Sequence, residues 1–146
     1  MSEKILPVGV HYDPCYERHD TGPGHPESAV RYRVLEAALA TLPADFKRLP
    51  GRRALVSEIL LVHEHYYHDL VYRDTETFAD VLRTGDTAIC EDSYDVALEA
   101  TGAVLEAADS VMRGDVGSAF CAVRPPGHHA TSARGMGFCI FNHVAV

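Results

Sequence analysis

The sequence predicts an α/β fold in which short strands alternate with amphipathic helices. Two apolar runs rich in strand-favouring residues, 8–12 and 118–123, each lead into a loop that contains proline. Between them, residues 26–42 and 92–112 carry apolar side chains at helical spacing. Open α/β sheets place ligand sites beyond the carboxyl ends of their strands, so the loops after these runs are the candidate functional regions.

Length and composition limit the class of protein. With 146 residues, 47% of them apolar, the chain is long enough for one buried core and is not expected to be disordered. Its 13 basic and 21 acidic residues give a net charge of −8, which disfavours nucleic acid and anionic membranes as partners and suits cationic substrates. We find neither an apolar run of membrane-spanning length nor a signal-peptide pattern in residues 1–10, and expect a cytoplasmic protein.

The first half of the chain predicts one strand, one helix and a second short strand. The strand at 8–12 ends at Asp13-Pro14, and a loop follows to residue 25. A helix over 26–42 begins with Pro26, has Glu27 near its positive end and is closed by Pro43. Residues 46–49 form the next short strand.

The second half predicts two short helices and then the strongest helix of the chain. Ser57 caps a helix that ends at residue 63, another helix covers 64–72, and 73–86 form a loop with a helical turn. The long helix begins at Asp92 or Ser93 and stops at Gly114. After the strand at 118–123 and its loop, residues 142–146 have the pattern of a helix's first turn.

Four cysteines are present, and their spacing indicates neither a zinc ribbon nor a disulfide framework. Cys15, Cys90, Cys121 and Cys139 lie far apart, without a C-x-x-C pair. Cys121 and Cys139 have apolar neighbours, so we expect them to be buried thiols.

A pair of adjacent histidines is the most informative feature of the sequence. The strand at 118–123 runs into Pro125-Pro126-Gly127, which cannot continue as strand or helix, and His128 and His129 follow at once. A glycine-spaced aromatic segment, 135–142, comes next. Adjacent imidazoles titrate near neutrality, so one can hold a proton while the other accepts one. The alternative is an ordinary pair of surface histidines, but this context favours an acid–base site.

Three more histidines, His63, His65 and His68, suggest a second hypothesis, a metal site. Their spacing does not match H-E-x-x-H, and His63 and His65 would point to different sides of a helix. An unrelated zinc hydrolase built on these three residues is therefore the weakest of the alternatives.

The histidine segment also carries a resemblance to a known family. Residues 124–130, Arg-Pro-Pro-Gly-His-His-Ala, with 137–142, Gly-Phe-Cys-Ile-Phe-Asn, resemble the signature of the zinc-dependent histone deacetylases, in the class II and acetylpolyamine amidohydrolase branch. His25-Pro26-Glu27 with Arg31 is similar to the family's His-Pro-Glu motif, although a surface role for Arg31 is equally compatible with the sequence. Glu91 departs from the pattern, because the family usually has proline there.

The resemblance implies a fold and a reaction. The fold would be an incomplete three-layer parallel-sheet deacetylase (arginase-like) fold, with residues 1–146 as the N-terminal part of the catalytic domain. The reaction would be hydrolysis of an N-acetyl amide on a lysine peptide or a polyamine, in which zinc polarises the carbonyl and activates water. His129 would be the general acid/base and His128 an electrostatic, proton-holding partner. Phe138 would form a wall of the substrate tunnel, and the Gly137 carbonyl would accept a substrate N–H.

The resemblance assigns no metal ligand to this chain. In the family, zinc is held by an Asp-x-His pair and a second aspartate, which lie beyond the position where this sequence ends, as does the tyrosine that polarises the acyl oxygen. A catalytic zinc needs three protein ligands and an open position. We therefore expect the isolated chain to be inactive. The alternative is a non-catalytic interaction module of deacetylase topology, which pairs with a missing C-terminal half or in a homo-oligomer.

Overall fold

The computed structural model describes residues 5–146, in which three strands and four α-helices alternate as predicted. Residues 1–4, part of the N-terminal segment that lacks a signal-peptide pattern, lie outside the described residues. The elements in chain order are β1 (Val8–His11), a 3₁₀ helix (Pro14–Arg18), α1 (Ala29–Leu39), β2 (Phe46–Arg48), α2 (Val56–Ile59), α3 (His65–Glu76), α4 (Ser93–Met112) and β3 (Ser118–Cys121).

The three strands form a parallel sheet in the order β2-β1-β3. Val8 of β1 is aligned with Phe46 on one side and with Ser118 on the other. Each strand lies where the sequence predicts it and is one or two residues shorter. Parallel strands end at the same edge of a sheet, so the loops after β1 and β3 are brought together, as the α/β prediction requires.

Helix α4 covers one face of the sheet and leaves the other face partly exposed. Leu49, Ala107 and Val116 form a buried cluster between α4 and the strands, with Cys121 partly buried against it. Side chains alternate along a strand, so Phe120 points to the opposite face. There Phe120 is 49% exposed and Val8 is 38% exposed. Cys121, predicted to be a buried thiol, is only partly buried, because β3 is an edge strand of the sheet that residues 5–146 form.

The largest buried cluster joins α3 and α4 to the segment after the histidine loop. Its members come from α2, α3, α4 and the loops around them, and they include Ile59, Tyr67, Val71, Leu82, Leu98, Ile140 and Phe141. The Tyr67 hydroxyl donates to the Ile140 carbonyl at 2.6 Å. Residues 140 and 141 are thus part of the core, which anchors the chain immediately after the candidate site.

Helix α1 is shorter than predicted and turns a different face inward. It begins at Ala29 rather than Pro26, because Glu27 is held outside the helix by Arg124 and by the His25 ring. Tyr32 is its buried residue, and the Tyr32 hydroxyl lies within hydrogen-bonding distance of backbone atoms of Asp13 and Ala122. Most of the apolar side chains that the helical spacing places on one face of α1 are exposed; Val34, for example, is 69% exposed, whereas Leu39 is partly buried.

Two helix boundaries in the middle of the chain also differ from the prediction. The cap of α2 is Leu55 rather than Ser57, because the Glu58 carboxylate accepts the free Leu55 N–H at 2.7 Å. Helix α3 continues to Glu76, into the segment predicted as loop, because Asp74 is buried and binds Arg83 at 2.6 Å.

The long helix and the chain's last residues agree with their predicted structure. Helix α4 covers Ser93–Met112, and the backbone turns away at Gly114 with φ +74°. The N–H groups of Ala145 and Val146 both donate to the Asn142 carbonyl, as in a first helical turn. No helix within residues 5–146 combines the length and apolar character needed to cross a membrane.

Candidate active site

The loop that carries the histidine pair is fastened where β3 ends. The Ala122 N–H donates to the His11 carbonyl at 2.8 Å, which continues the β1–β3 pairing by one residue. Arg124, only 4% exposed, binds both carboxylate oxygens of Glu27, at 2.5 and 2.9 Å, and donates to the Tyr16 carbonyl at 2.8 Å. A cis peptide bond joins Arg124 to Pro125. The chain therefore enters the histidine loop from a fixed point.

The segment after the loop holds the histidine backbone from the other side. The N–H groups of His128 and His129 both donate to the sulfur of Cys139, at 3.4 Å each. The Asn142 side-chain amide donates to the Ala130 carbonyl at 2.8 Å. Cys139 is fully buried, as predicted, and the sequence did not reveal its contact with the loop. These contacts join 128–130 to 139–142 as one unit.

The two imidazoles of the pair lie side by side on the surface. Their ring centroids are 4.2 Å apart and their planes are tilted by 50°. Both residues are exposed. Gly137, with φ +56°, packs against His129 so closely that a β-carbon would lie 2.7 Å from its ring. The structure thus brings the four predicted site residues, His128, His129, Gly137 and Phe138, into one region.

Phe138 forms a wall beside the histidine pair together with His25, the first residue of the His-Pro-Glu segment, in a contact that the sequence did not predict. Phe138 is in the left-handed region at φ +66° and packs edge-to-face on His25, with ring centroids 4.7 Å apart. The His25 ring accepts the Glu27 N–H at 3.1 Å, which fixes its orientation. The predicted tunnel is represented within residues 5–146 by this one wall, and the pair remains open to solvent on its other side.

Three acidic side chains line a cavity that adjoins the cavity containing His25. A cavity of about 490 Å³ is lined by residues 20–23, 78–80 and 89–91, which include Asp20, Asp80 and Glu91. A neighbouring cavity of about 500 Å³ contains His25. Neither cavity is lined by His128 or His129. The negative charge is consistent with the cationic substrates that the composition predicts.

Arg31 lies near the Arg124–Glu27 pair and not against the histidines. Its guanidinium is exposed, donates to the Pro26 carbonyl at 2.7 Å, and lines a cavity of about 370 Å³ with Glu27 and Arg124. Both hypotheses for this residue, a surface arginine and a part of the family's His-Pro-Glu motif, are compatible with this position.

His19 is a buried histidine behind the site that the sequence placed in a loop. Its Nδ1 is 2.7 Å from the Ser93 hydroxyl, and its Nε2 is 3.6 Å from a Glu27 carboxylate oxygen. Burial, and then the positive charge of Arg124, lower the pKa of His19 to about 3. The ring is therefore neutral near pH 7, and its approach to Glu27 is not an ion pair. Only the fold brings His19, Ser93 and Glu27 together, so the sequence offered no signal for these contacts.

The histidines at 63, 65 and 68 do not converge on a metal. His63 is buried and accepts the Asn142 N–H at 3.0 Å, and burial lowers its pKa. His68 is 2.8 Å from the Tyr94 hydroxyl, and His65 is exposed. Within residues 5–146, no group of three His, Cys, Asp or Glu side chains could hold a metal ion. The described residues therefore do not form a zinc site on these three histidines. They also do not, by themselves, provide the ligands for the zinc ion that the resemblance implies.

Taken together, the fold and the site define a class: a parallel α/β protein whose loop after an edge strand presents two adjacent imidazoles beside an aromatic wall. The sequence model described as Histone deacetylase domain matches residues 25–146. The chain belongs to this family, and its sheet and helices form part of the family's three-layer, arginase-like fold.

Similar proteins are known from several organisms. Histone deacetylase 9 of Homo sapiens is 33% identical over 95% of this chain and 17% of that protein. Polyamine deacetylase HDAC10 of Danio rerio is 37% identical over 80% of this chain and 18% of that protein. The crystal structure of the HDA15 HD domain superposes with a TM-score of 0.86 at 31% identity, covering 95% of this chain and 41% of that one. The chain thus spans less than half the length of these relatives.

Proposed function

We propose that this chain supplies the acid–base part of an amidohydrolase that removes acetyl groups from amines, and that residues 5–146 do not complete the active site. The observation that carries the proposal is the histidine pair, held by Arg124 and Cys139 at the carboxyl edge of the sheet beside Phe138. Paired imidazoles suit amide hydrolysis, because the reaction takes a proton from water and returns one to the departing amine.

Each residue of the site has a proposed role. His129 is the general acid/base. Its ring is in contact with Gly137, the residue before Phe138, and it therefore lies beside the proposed substrate position. His128, whose ring centroid is 4.2 Å from that of His129, holds a proton and adds electrostatic stabilisation. Phe138 contacts the aliphatic part of the substrate. The Gly137 carbonyl, which accepts the Cys139 thiol at 3.6 Å, keeps a second lone pair for a substrate N–H.

Zinc is the metal of this family, and we propose that its ligands are residues other than those described. When bound, zinc polarises the acyl carbonyl. The described residues contain no suitable ligand group, so their own part in the proposed chemistry is proton transfer and contact with the substrate. The chain by itself should therefore be inactive.

The proposed substrates are acetylated lysine peptides or acetylated polyamines. Both carry an amide on an aliphatic chain and belong to cationic molecules. This suits a chain of net charge −8, in which Asp20, Asp80 and Glu91 line a cavity that adjoins the one containing His25. The polyamine relative supports the second class, because its name states that activity. We place the reaction in the cytoplasm as part of this proposal.

A turnover assay tests the proposal. The chain is incubated with an acetyl-lysine peptide and, separately, with an acetylated polyamine, each with and without added zinc. We expect no turnover above the level of the His129→Gln variant in any of the four mixtures. Zinc-dependent turnover by the 146-residue chain alone would contradict our placement of the metal ligands.

A second candidate function is an interaction module, which the open face of the sheet favours. Phe120 and Val8 expose apolar surface beside β3, an edge strand of the described sheet. Such an edge is a template for pairing with another strand. This candidate predicts a stable monomer or a defined dimer on size-exclusion chromatography, whereas an incomplete catalytic domain should form heterogeneous aggregates.

A further inference from the structure

The imidazole of His143 lies beneath the turn that leads to the histidine pair. Its Nε2 is 3.1 Å from the Pro125 carbonyl oxygen, and its Nδ1 is 2.8 Å from the Thr101 hydroxyl on α4. The residue is 5% exposed. Its ring packs directly on Gly127, where any β-carbon would overlap the ring atoms. His143 therefore touches the first and last residues of the Pro125-Pro126-Gly127 turn and also the helix behind it.

The hydrogen-bond partners of His143 fix its tautomer. Burial lowers the pKa of His143 to about 4, so the ring is neutral near pH 7 and carries one proton. The Pro125 carbonyl can only accept, so this proton must be on Nε2. The bare Nδ1 must then accept from Thr101. In the opposite tautomer, Nε2 and the carbonyl oxygen would be two acceptors facing each other in a buried site, which is costly.

The single hydroxyl hydrogen of Thr101 can be donated to only one of two nearby acceptors, the Ala97 carbonyl or His143 Nδ1. Its hydroxyl has one hydrogen and lies 2.9 Å from the Ala97 carbonyl, where a threonine inside a helix commonly donates, as well as 2.8 Å from His143. The Ala97 carbonyl can instead accept the backbone N–H of the residue four positions later in the helix. The buried Nδ1 of His143 would therefore lose more than the Ala97 carbonyl if the Thr101 hydroxyl donated elsewhere. Helix α4 thus supplies the donor that fixes the His143 ring.

We propose that His143 is a positioning residue for the histidine pair: a neutral, Nε2-protonated imidazole that ties the 125–127 turn to α4. The next residues of the loop are held in the same way. The Gly127 carbonyl accepts the Val144 N–H at 3.3 Å, and the His128 and His129 N–H groups bind Cys139. The His143 ring, which lies beneath the turn, thus fixes the position of the backbone that leads directly into His128 and His129.

The catalytic importance of His143 rests on the function proposed for His129. The anchoring of the 125–127 turn by His143 does not depend on that function. A general base must lie within hydrogen-bonding reach of the proton it takes, and small displacements of a catalytic loop cost large factors in rate. Anchoring by a neutral ring also adds no charge behind the pair. Measuring the His143 tautomer and the loop backbone, rather than turnover, tests the anchoring independently of the catalytic role.

The first measurement is nitrogen-15 NMR of histidine side chains in the unaltered chain near pH 7. We expect His143 to show a protonated, pyrrole-type Nε2 and a bare, pyridine-type Nδ1, with slow exchange of the Nε2 proton. An Nδ1-protonated ring, or a ring that averages between both tautomers, would overturn the proposal. This test does not depend on whether any variant folds.

The second measurement compares His143→Leu with His143→Gln by site-resolved amide hydrogen exchange. Leucine removes both hydrogen bonds, whereas the glutamine side-chain amide can still donate to Pro125. We expect exchange at His128, His129 and Val144 to accelerate about tenfold in His143→Leu, relative to β1 and α4 amides, and to stay within about threefold of the unaltered chain in His143→Gln.

Two outcomes of this comparison would contradict the proposal. If exchange accelerated equally across the whole chain, His143 would contribute only to global stability. If His143→Gln matched His143→Leu at the three amides, the hydrogen bond to Pro125 would not be what holds the loop. Thr101→Val provides the same comparison should His143→Leu not fold: we expect accelerated exchange at these amides, and wild-type exchange would refute the role given to the Thr101 donor.

Discussion

Arg124 binds both carboxylate oxygens of Glu27, from 97 positions away in the sequence, at 2.5 and 2.9 Å. Both side chains are largely buried, with 5% and 15% of their surface exposed. The pair connects the loop before α1 to the last residue before the 125–127 turn. Bidentate pairing fixes orientation as well as distance, so this contact sets the direction in which the chain leaves β3.

We predict that Glu27→Gln lowers the free energy of unfolding by about 3 kcal/mol, because it leaves the Arg124 charge buried without its partner. Urea unfolding followed by circular dichroism measures this. The matched control is Glu17→Gln, which breaks the exposed pair between Glu17 and Arg33 and should leave the unfolding midpoint unchanged. Equal midpoints for Glu27→Gln and the unaltered chain would show that the pair does not support the loop.

Gly127→Ala should destabilise the protein by about 3 kcal/mol or more, because the new methyl group overlaps the His143 ring in a closely packed site. Gly22→Ala is the control: Gly22 has φ +82° but no atom within 4 Å of an added β-carbon, so only backbone strain of about 1 kcal/mol applies. Urea unfolding of both variants separates overlap from strain. If both lost the same free energy, the contact between Gly127 and His143 would not be close.

Stability should fall as pH decreases from about 6.5 to 4. Burial lowers the pKa of His143 to about 4, below its ordinary value of 6.5, so in this interval the unfolded chain binds a proton that the folded chain does not. We predict that His143→Gln reduces the slope of unfolding free energy against pH in this interval by about 1.4 kcal/mol per pH unit. His65→Gln, at an exposed position, should retain the wild-type slope. The same slope in both variants would mean that His143 takes up its proton in the folded state.

Phe120→Lys should reduce self-association of the chain. Phe120 is 49% exposed on the edge strand β3, where apolar surface and free backbone groups promote pairing between strands. Met112→Lys, at a position 85% exposed at the end of α4, adds the same charge away from the sheet and is the control. Light scattering after size-exclusion chromatography gives the mass of each variant. A comparable reduction by both substitutions would indicate a general charge effect and not the sheet edge.

Local patterns in the sequence predicted much of the fold. The strands and α4 were found because their apolar spacing is determined by the period of the element itself. Helix α1 was predicted with the wrong inner face, because its rotation is set by hydrogen bonds from Tyr32 to residues that lie far away in the sequence. The start of α2 was misplaced for a related reason, since Glu58 rather than Ser57 satisfies the free N–H.

The candidate site was predicted where its residues are contiguous and missed where they are not. His128, His129, Gly137 and Phe138 fall in one motif, so the sequence identified them together. His143 stands among apolar residues that were interpreted as the start of a helix, and its partner Thr101 comes from the middle of α4. Cys139 was expected to be buried, but an acceptor for two backbone N–H groups cannot be inferred from apolar neighbours.

The most direct test of the proposed acid–base role is a chimaera of the polyamine deacetylase of Danio rerio, in which residues 25–146, the part of this chain that matches the family, replace the corresponding part of the deacetylase domain. Its activity on an acetylated polyamine is compared with that of His129→Gln and of His65→Gln, an exposed control. We predict that His129→Gln lowers kcat about 10²- to 10⁴-fold with little change in KM, and that His65→Gln has no effect. Equal activity of the two variants would contradict the acid–base role of the histidine pair.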